Sequence, residues 1–263
     1  MAVFQLGISP CPNDVFIFSG LLLGAIPTPN FQLETVFEDV ETLNQRAQQG
    51  TIDIVKFSYA NYLHIEKDYA LLSSGGALGR GCGPLLLSNG GSWNPEGEVL
   101  SPGEFTTANF LLDYFAQKPL KRRYLPFDAL YAELCSTPGA QGVVIHEKRF
   151  TFVQDGLTLV KDLGEHWEEQ TGFAIPLGAI AIRRELGYQE EVDSLIRQSL
   201  QWAYRHYDLA FALCRQYAQD LNETVIKAHI DLYVNSFSED LGAEGRAVID
   251  YFFAQQRKFR GKA

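Results

Sequence analysis

Apolar positions along the chain follow two rhythms, and their order predicts the architecture. V-F-Q-L-G-I-S (3–9) reads as a strand, and N-D-V-F-I-F-S-G-L-L-L (13–23) as a helix capped by Asn13 or Asp14. F-Q-L-E-T-V-F-E (31–38) alternates strictly, as a half-buried strand does. In D-V-E-T-L-N-Q-R-A-Q-Q-G (39–50), Asp39 caps a helix, Val40, Leu43 and Ala47 share its inward face, and Gly50 stops it. D-I-V-K-F-S (53–58) is a third strand, followed by a helical turn at N-Y-L-H-I-E-K. This β-α-β-α-β order predicts a parallel sheet covered by helices.

The composition then changes. S-S-G-G-A-L-G-R-G-C-G-P (73–84) is rich in glycine, and S-N-G-G-S-W-N-P-E-G (88–97) is a turn-rich connector suited to a crossing between lobes. A second α/β set follows in E-V-L-S-P-G (98–103), a helix at 105–116, R-R-Y-L-P-F (122–127), a helix at 128–134 and Q-G-V-V-I-H (141–146). P-L-G-A-I-A-I-R-R (176–184) returns the chain to the first lobe, and from Gln189 the pattern is helical. The expectation is an α/β fold of two lobes joined by two crossings. Residues 1–88 with 185–263 form a large discontinuous lobe, and 89–184 a smaller one. A ligand would be held in the cleft, beyond the carboxyl ends of the strands.

Bulk properties narrow the class. A chain of 263 residues with 46 % hydrophobic and 21 % charged positions is globular rather than disordered. The formal net charge of −10 argues against non-specific nucleic-acid binding, which needs clustered cations on phosphates. The apolar patch L-L-L-G-A-I (21–26) is too short to cross a bilayer, so no membrane partner is expected. M-A-V-F-Q-L-G-I-S lacks a basic leader region, which predicts a cytoplasmic protein. Cys11, Cys82, Cys135 and Cys214 lie far apart, without zinc or disulfide spacing, and read as packed or reactive thiols. No pattern encodes the oligomeric state.

Several positions offer chemistry, each with a plainer competing reading. The stiff loop S-P-C-P-N-D (9–14) precedes a helix and either borders the site or is only a rigid turn. In V-K-F-S-Y, Lys56 and Phe57 point to opposite faces, so Lys56 either meets a charge near the cleft or lies in solvent on an edge strand. Ser58 ends that strand as a hydrogen-bond donor. Thr106, Thr107 and Ala108 open a helix whose first N–H groups suit an anion; an ordinary threonine cap is the alternative. L-G-R-G-C-G-P (78–84) lacks the phosphate-loop pattern and reads as a hinge, with Arg80 able to take a carboxylate. His146 alone among the five histidines ends a continuous apolar strand, G-V-V-I-H-E. It is either a proton-transfer group at a cleft or a satisfied structural histidine.

Taken together, S-P-C-P-N-D-V-F-I-F, E-D-V-E-T-L-N, S-G-G-A-L-G-R-G-C-G-P, P-G-E-F-T-T-A, I-H-E-K-R-F-T-F and T-G-F-A-I-P-L-G-A-I resemble the 1,4-dihydroxy-6-naphthoate synthases of the futalosine route to menaquinone. The resemblance runs in order to Y-V-N-S-F-S (233–238). It implies a two-lobed fold like type II periplasmic binding proteins and a small carboxylate substrate, cyclic dehypoxanthine futalosine. It further implies a lyase reaction needing no metal or organic cofactor, with His146 as catalytic base and Lys56, Phe57, Ser58, Thr107 and Ala108 as substrate-binding residues. Phe57 replaces the leucine usual in that motif. The rival expectation is a non-catalytic receptor for a small carboxylate.

Overall fold

The computed structural model describes residues 1–218 and 222–260; the last three positions of the expected large lobe lie outside them. The strands are β1 (Ala2–Ile8), β2 (Phe31–Phe37), β3 (Ile54–Ser58), β4 (Tyr69–Leu71), β5 (Ala77–Gly79), β6 (Leu85–Ser88), β7 (Glu98–Ser101), β8 (Lys121–Tyr124), β9 (Gln141–Val144), β10 (Thr158–Asp162) and β11 (Ile175–Arg183). Helices α1 (Pro12–Leu22), α2 (Val40–Gln48), α3 (Tyr62–Ile65), α4 (Thr107–Ala116), α5 (Phe127–Ser136) and α6 (Leu163–Thr171) alternate with them. The chain finishes in α7 (Gln189–Arg205), α8 (Tyr207–Tyr217), α9 (Glu223–Tyr233), α10 (Ser236–Glu239) and α11 (Gly242–Arg260).

The first sheet has the order β2-β1-β3-β11-β4, with β5 also paired to β11; the second has the order β10-β6-β9-β7-β8. As the alternating pattern predicts, β2, β1 and β3 are parallel. The sheet as a whole is not: β11 returns from the second sheet and lies antiparallel to β3, β4 and β5. The second sheet is mixed as well, because β10 and β9 both run antiparallel to β6. Every residue of β3 is buried, as expected of a strand covered on both faces.

Strand membership shifts the crossings relative to the boundaries read from the sequence. Residues 85–88 belong to the second sheet, so the chain first crosses between Gly79 and Leu85. It returns between Asp162 and Ile175, because β11 belongs to the first sheet. The two crossings lie backbone against backbone. Leu163 N–H donates to the Pro84 carbonyl at 3.0 Å, and a Cβ on Gly83 would fall 2.3 Å from Gly164 Cα.

Capping follows the sequence at α2, where the Asp39 carboxylate accepts from Glu41 and Thr42 N–H and Gly50 takes φ +66°. At α1 it does not. The cap position belongs to Cys11, whose side chain makes no cap bond, and Pro12 starts the helix. Asn13 and Asp14 are thereby freed for other partners.

One core cluster packs α1, α7, α8 and α9 against the first sheet, and a small one fills the space between α5 and the second. The third runs between the sheets, from Val55 and Phe57 to Leu86, Val99 and Val143. Helix α11 braces this junction with two adjacent rings. Phe252 meets Phe110 of α4 at 4.9 Å and Trp167 of α6 at 5.5 Å, while Phe253 stacks on Tyr62 at 5.3 Å.

Candidate active site

A cavity of about 110 Å³ lies between the sheets. The first sheet's side supplies Ser9, Asn13, Asp14, Lys56, Phe57 and Ser58; the second's supplies Thr106, Thr107, Ala108, His146 and Arg149; α9 adds His229 and Tyr233. All six residues singled out for chemistry or binding (Lys56, Phe57, Ser58, Thr107, Ala108 and His146) line this one space, as does part of the loop 9–14. Arg80 does not. Its side chain is largely exposed, donates to the Gly172 carbonyl and pairs with Glu168 at 3.6 Å, so the carboxylate it meets is the protein's own, outside the cavity.

His146 stands two residues past the end of β9, at the start of a short 3-10 turn, His146–Phe150. Its backbone takes φ +61°, a left-handed conformation uncommon outside glycine and found preferentially where a side chain must be aimed. The residue as a whole is partly exposed, while its ring is buried deeply enough to be desolvated. Phe127 meets it edge-on at 5.1 Å, and Nδ1 lies 3.2 Å from Cys11 Sγ, while Nε2 makes no hydrogen bond to the described residues. Burial lowers its pKa, against the opposing pull of Glu147, Asp14, Asp128 and Asp39, so the imidazole is neutral near pH 7. Glu147 is itself buried, and its contact with the imidazole is electrostatic rather than a hydrogen bond.

Lys56 meets a charge, as a buried lysine must. It is 5 % exposed, pairs with Asp14 at 2.7 Å and donates to the Gly75 carbonyl at 3.0 Å. Asp14 in turn accepts from Ser9 Oγ at 2.7 Å and Asn13 Nδ2 at 2.8 Å. With Nδ2 donating, Asn13 Oδ1 is the acceptor facing His229 Nε2 at 2.9 Å, which assigns the hydrogen of His229 to Nε2. Phe57 points the other way into the core, its ring fully buried near Tyr62.

Ser58 is clamped by Asn44: its N–H donates to Asn44 Oδ1 at 2.8 Å, and Asn44 Nδ2 donates to its hydroxyl at 3.1 Å. The Ser58 O–H hydrogen is left for another acceptor. Thr106 caps α4 by accepting from Asn109 N–H. The Thr107 hydroxyl is already engaged with the first sheet's side, donating to Leu177 O at 2.9 Å and accepting from Ala60 N–H at 3.3 Å. What Thr107 and Ala108 offer a ligand is therefore their first-turn N–H groups, at the positive end of a ten-residue helix. A serine donor and a helix N-terminus together suit a carboxylate, and a neutral imidazole across the cavity suits proton removal.

Sequence reasoning passed over Asn44, Asp14 as the partner of Lys56, His229 and Arg149. Arg149 lines the cavity, pairs with Asp162 at 3.0 Å and donates to the Gly83 carbonyl. The one available signal was Asp14, the last residue of the stiff loop S-P-C-P-N-D.

The sequence profile describing menaquinone biosynthesis proteins matches residues 4–258. The 1,4-dihydroxy-6-naphthoate synthase of Thermus thermophilus is 44 % identical over 260 residues, covering 97 % of this chain and 94 % of its own. That of Streptomyces coelicolor is 38 % identical over 253 residues, covering 93 % and 89 %. A crystal structure of a protein from Archaeoglobus fulgidus matches with a TM-score of 0.91 at 28 % identity, covering 99 % of this chain and 98 % of that one. The periplasmic aliphatic sulphonate binding protein of Escherichia coli shares the fold alone, at 13 % identity and a TM-score of 0.62, covering 97 % and 88 %. The type II binding-protein-like fold is thus borne out. Among the described residues no helix is long and apolar enough to cross a membrane. The match spans nearly the whole chain, and on that ground the protein belongs to the menaquinone biosynthesis family, as an enzyme akin to its 1,4-dihydroxy-6-naphthoate synthases.

Proposed function

We propose that the protein is a carbon–carbon lyase that converts cyclic dehypoxanthine futalosine into 1,4-dihydroxy-6-naphthoate and dihydroxyacetone in the cytoplasm. The substrate's aromatic carboxylate rests on the Thr107 and Ala108 N–H groups and the Ser58 hydroxyl. His146 Nε2 takes a proton from the bound spiro compound. The carbon–carbon bond to the sugar remnant then breaks, its electron pair completes the aromatic ring, dihydroxyacetone departs as the ketone, and the imidazolium returns its proton to the naphthoate product. Aromatisation supplies much of the driving force, so the chain's own task is to hold the substrate, keep water out and supply the base.

The observation that carries this reading is His146 itself. A neutral imidazole is held at φ +61° in the cavity that α4 also opens into. Relatives bearing the synthase name at 44 % and 38 % identity support the choice of reaction. The test is incubation of purified protein with the cyclic substrate, followed by mass spectrometry for the naphthoate and dihydroxyacetone in equal amounts. Tight binding without product would instead make the protein a non-catalytic receptor for a small carboxylate.

A further inference from the structure

We infer that Cys11 is a positioning residue for His146: its sulfur accepts the Nδ1 hydrogen of the imidazole from across the cleft and leaves Nε2 as the basic nitrogen. The inference rests on the proposed reaction in one respect, that His146 is the base.

The two residues are 135 positions apart and come from opposite sides of the cavity, Cys11 from the β1–α1 loop and His146 from the turn after β9. Each is fixed before they meet. Prolines 10 and 12 flank Cys11, its N–H donates to Ser9 Oγ, and its carbonyl accepts from Asp14 and Val15 N–H. Ser9 and Asp14 are bonded to each other and, through Asp14, to Lys56. At a helix cap the favoured residues turn their side chain back to the first-turn N–H groups; Cys11 makes no such bond, and its sulfur reaches His146 instead. On the other side, φ +61° aims the imidazole and Phe127 limits its rotation.

One hydrogen lies between Nδ1 and Sγ, and its owner decides what the ring can do. If the thiol donated to Nδ1, Nε2 would hold the ring's hydrogen and could not act as a base. If Nδ1 donates, Nε2 presents its lone pair. After Nε2 has taken the substrate's proton both nitrogens carry hydrogen, and the Nδ1–H still needs an acceptor; sulfur serves in both states. Burial, aided by Glu147 and Asp14, pushes the thiol well up from its usual pKa, so the sulfur stays neutral and does not compete for the proton. A carboxylate in this place would stabilise the imidazolium strongly, whereas neutral sulfur does so weakly, consistent with the lowered pKa of the ring. The other charged or titratable groups felt by the pair are Glu147 on the same turn, Asp14 on α1, Asp39 ahead of α2, Lys56 on β3, Asp128 on α5 and His229 on α9.

The test compares Cys11→Ser and Cys11→Ala in steady-state kinetics across pH, alongside 15N spectra of histidine-labelled wild-type protein. Cys11→Ser keeps an acceptor and should retain most of kcat. Cys11→Ala should lower kcat about 10- to 100-fold, as loss of a group that orients an imidazole commonly does, with KM unchanged and the acid limb of the profile moved to lower pH. The wild-type spectrum should show Nδ1 protonated. The inference is overturned by a Cys11→Ala enzyme with wild-type kcat and acid limb, by an effect on KM alone, or by a wild-type spectrum with Nε2 protonated. Should Cys11→Ala fail to fold, the spectrum decides by itself. A wild-type protein that forms no naphthoate would sink the proposed reaction, while the spectrum would still report the Cys11–His146 bond.

Discussion

The cavity has two imidazoles, and they are opposites. His229, on α9, is 1 % exposed, tilted against the Tyr233 ring at 4.6 Å and hydrogen-bonded to Asn13, the last link of a chain that begins at the Lys56–Asp14 pair. His146 faces it from a left-handed turn, a partly exposed residue with one nitrogen held and the other unbonded among the described residues. Burial depresses the pKa of both, that of His229 to about 3. Depression of the pKa alone therefore does not mark a base. What separates the two is access: His229 is sealed within a buried polar framework, whereas His146, like the Ser58 hydroxyl and the first turn of α4, lines the cavity with a valence to spare.

The contrast breaks most visibly at His146. His146→Asn should lower kcat by roughly 10²- to 10⁴-fold, the range a positioned general base supplies, with the melting temperature little changed because asparagine tolerates a left-handed backbone. A variant with near-normal product formation would place the base elsewhere. In the wild-type enzyme, kcat/KM should fall as pH drops through the lowered pKa of this ring, since only the neutral form accepts a proton.

On the framework side, Asp14→Asn leaves Lys56 charged and unpaired in the interior. The expected loss is about 3–5 kcal/mol in urea unfolding, and an unchanged midpoint would mean that the pair adds nothing. His229 gives a smaller, pH-dependent effect. Its folded pKa of about 3 lies below the ordinary ~6.5, so the unfolded chain binds a proton that the native protein refuses. Stability is full above the unfolded value and falls as the solution is acidified towards the folded one, by about 1.4 kcal/mol per pH unit. His229→Gln, which can still donate to Asn13, should flatten this dependence between about pH 6 and pH 4, the range bracketed by those two pKa values. An identical slope in the variant would show that His229 is not held neutral.

The smallest effect belongs to Ser58→Ala, which removes one donor to the proposed carboxylate. It should raise KM about tenfold, roughly 1.5 kcal/mol for a hydrogen bond to a charged group, with kcat retained. Isothermal titration with a non-reactive naphthoate would check it, and unaltered affinity would remove Ser58 from the binding set.

Much of the local structure was legible because it is written in short-range patterns. Strict alternation announced β2, and Asp39 with Gly50 bracketed α2. Strands β4 and β5, at three residues each, are too short to show a period, and the antiparallel seat of β11 depends on partners far away in the chain. The candidate site divides likewise. His146 and Ser58 stand out by their place at or just beyond a strand end, whereas Cys11, Asn44 and His229 acquire their roles only through contacts with residues 135, 14 and 216 positions distant. A hydrogen bond across such a gap leaves no local trace.

The contact between Gly83 and Gly164 ties both connections into what is mechanically one strap. A single methyl group at position 83 would act as a wedge between two ropes lying side by side. Because both ropes bind the same pair of sheets, the wedge would tilt one sheet against the other and pull the imidazole away from its target, with every reactive side chain still in place.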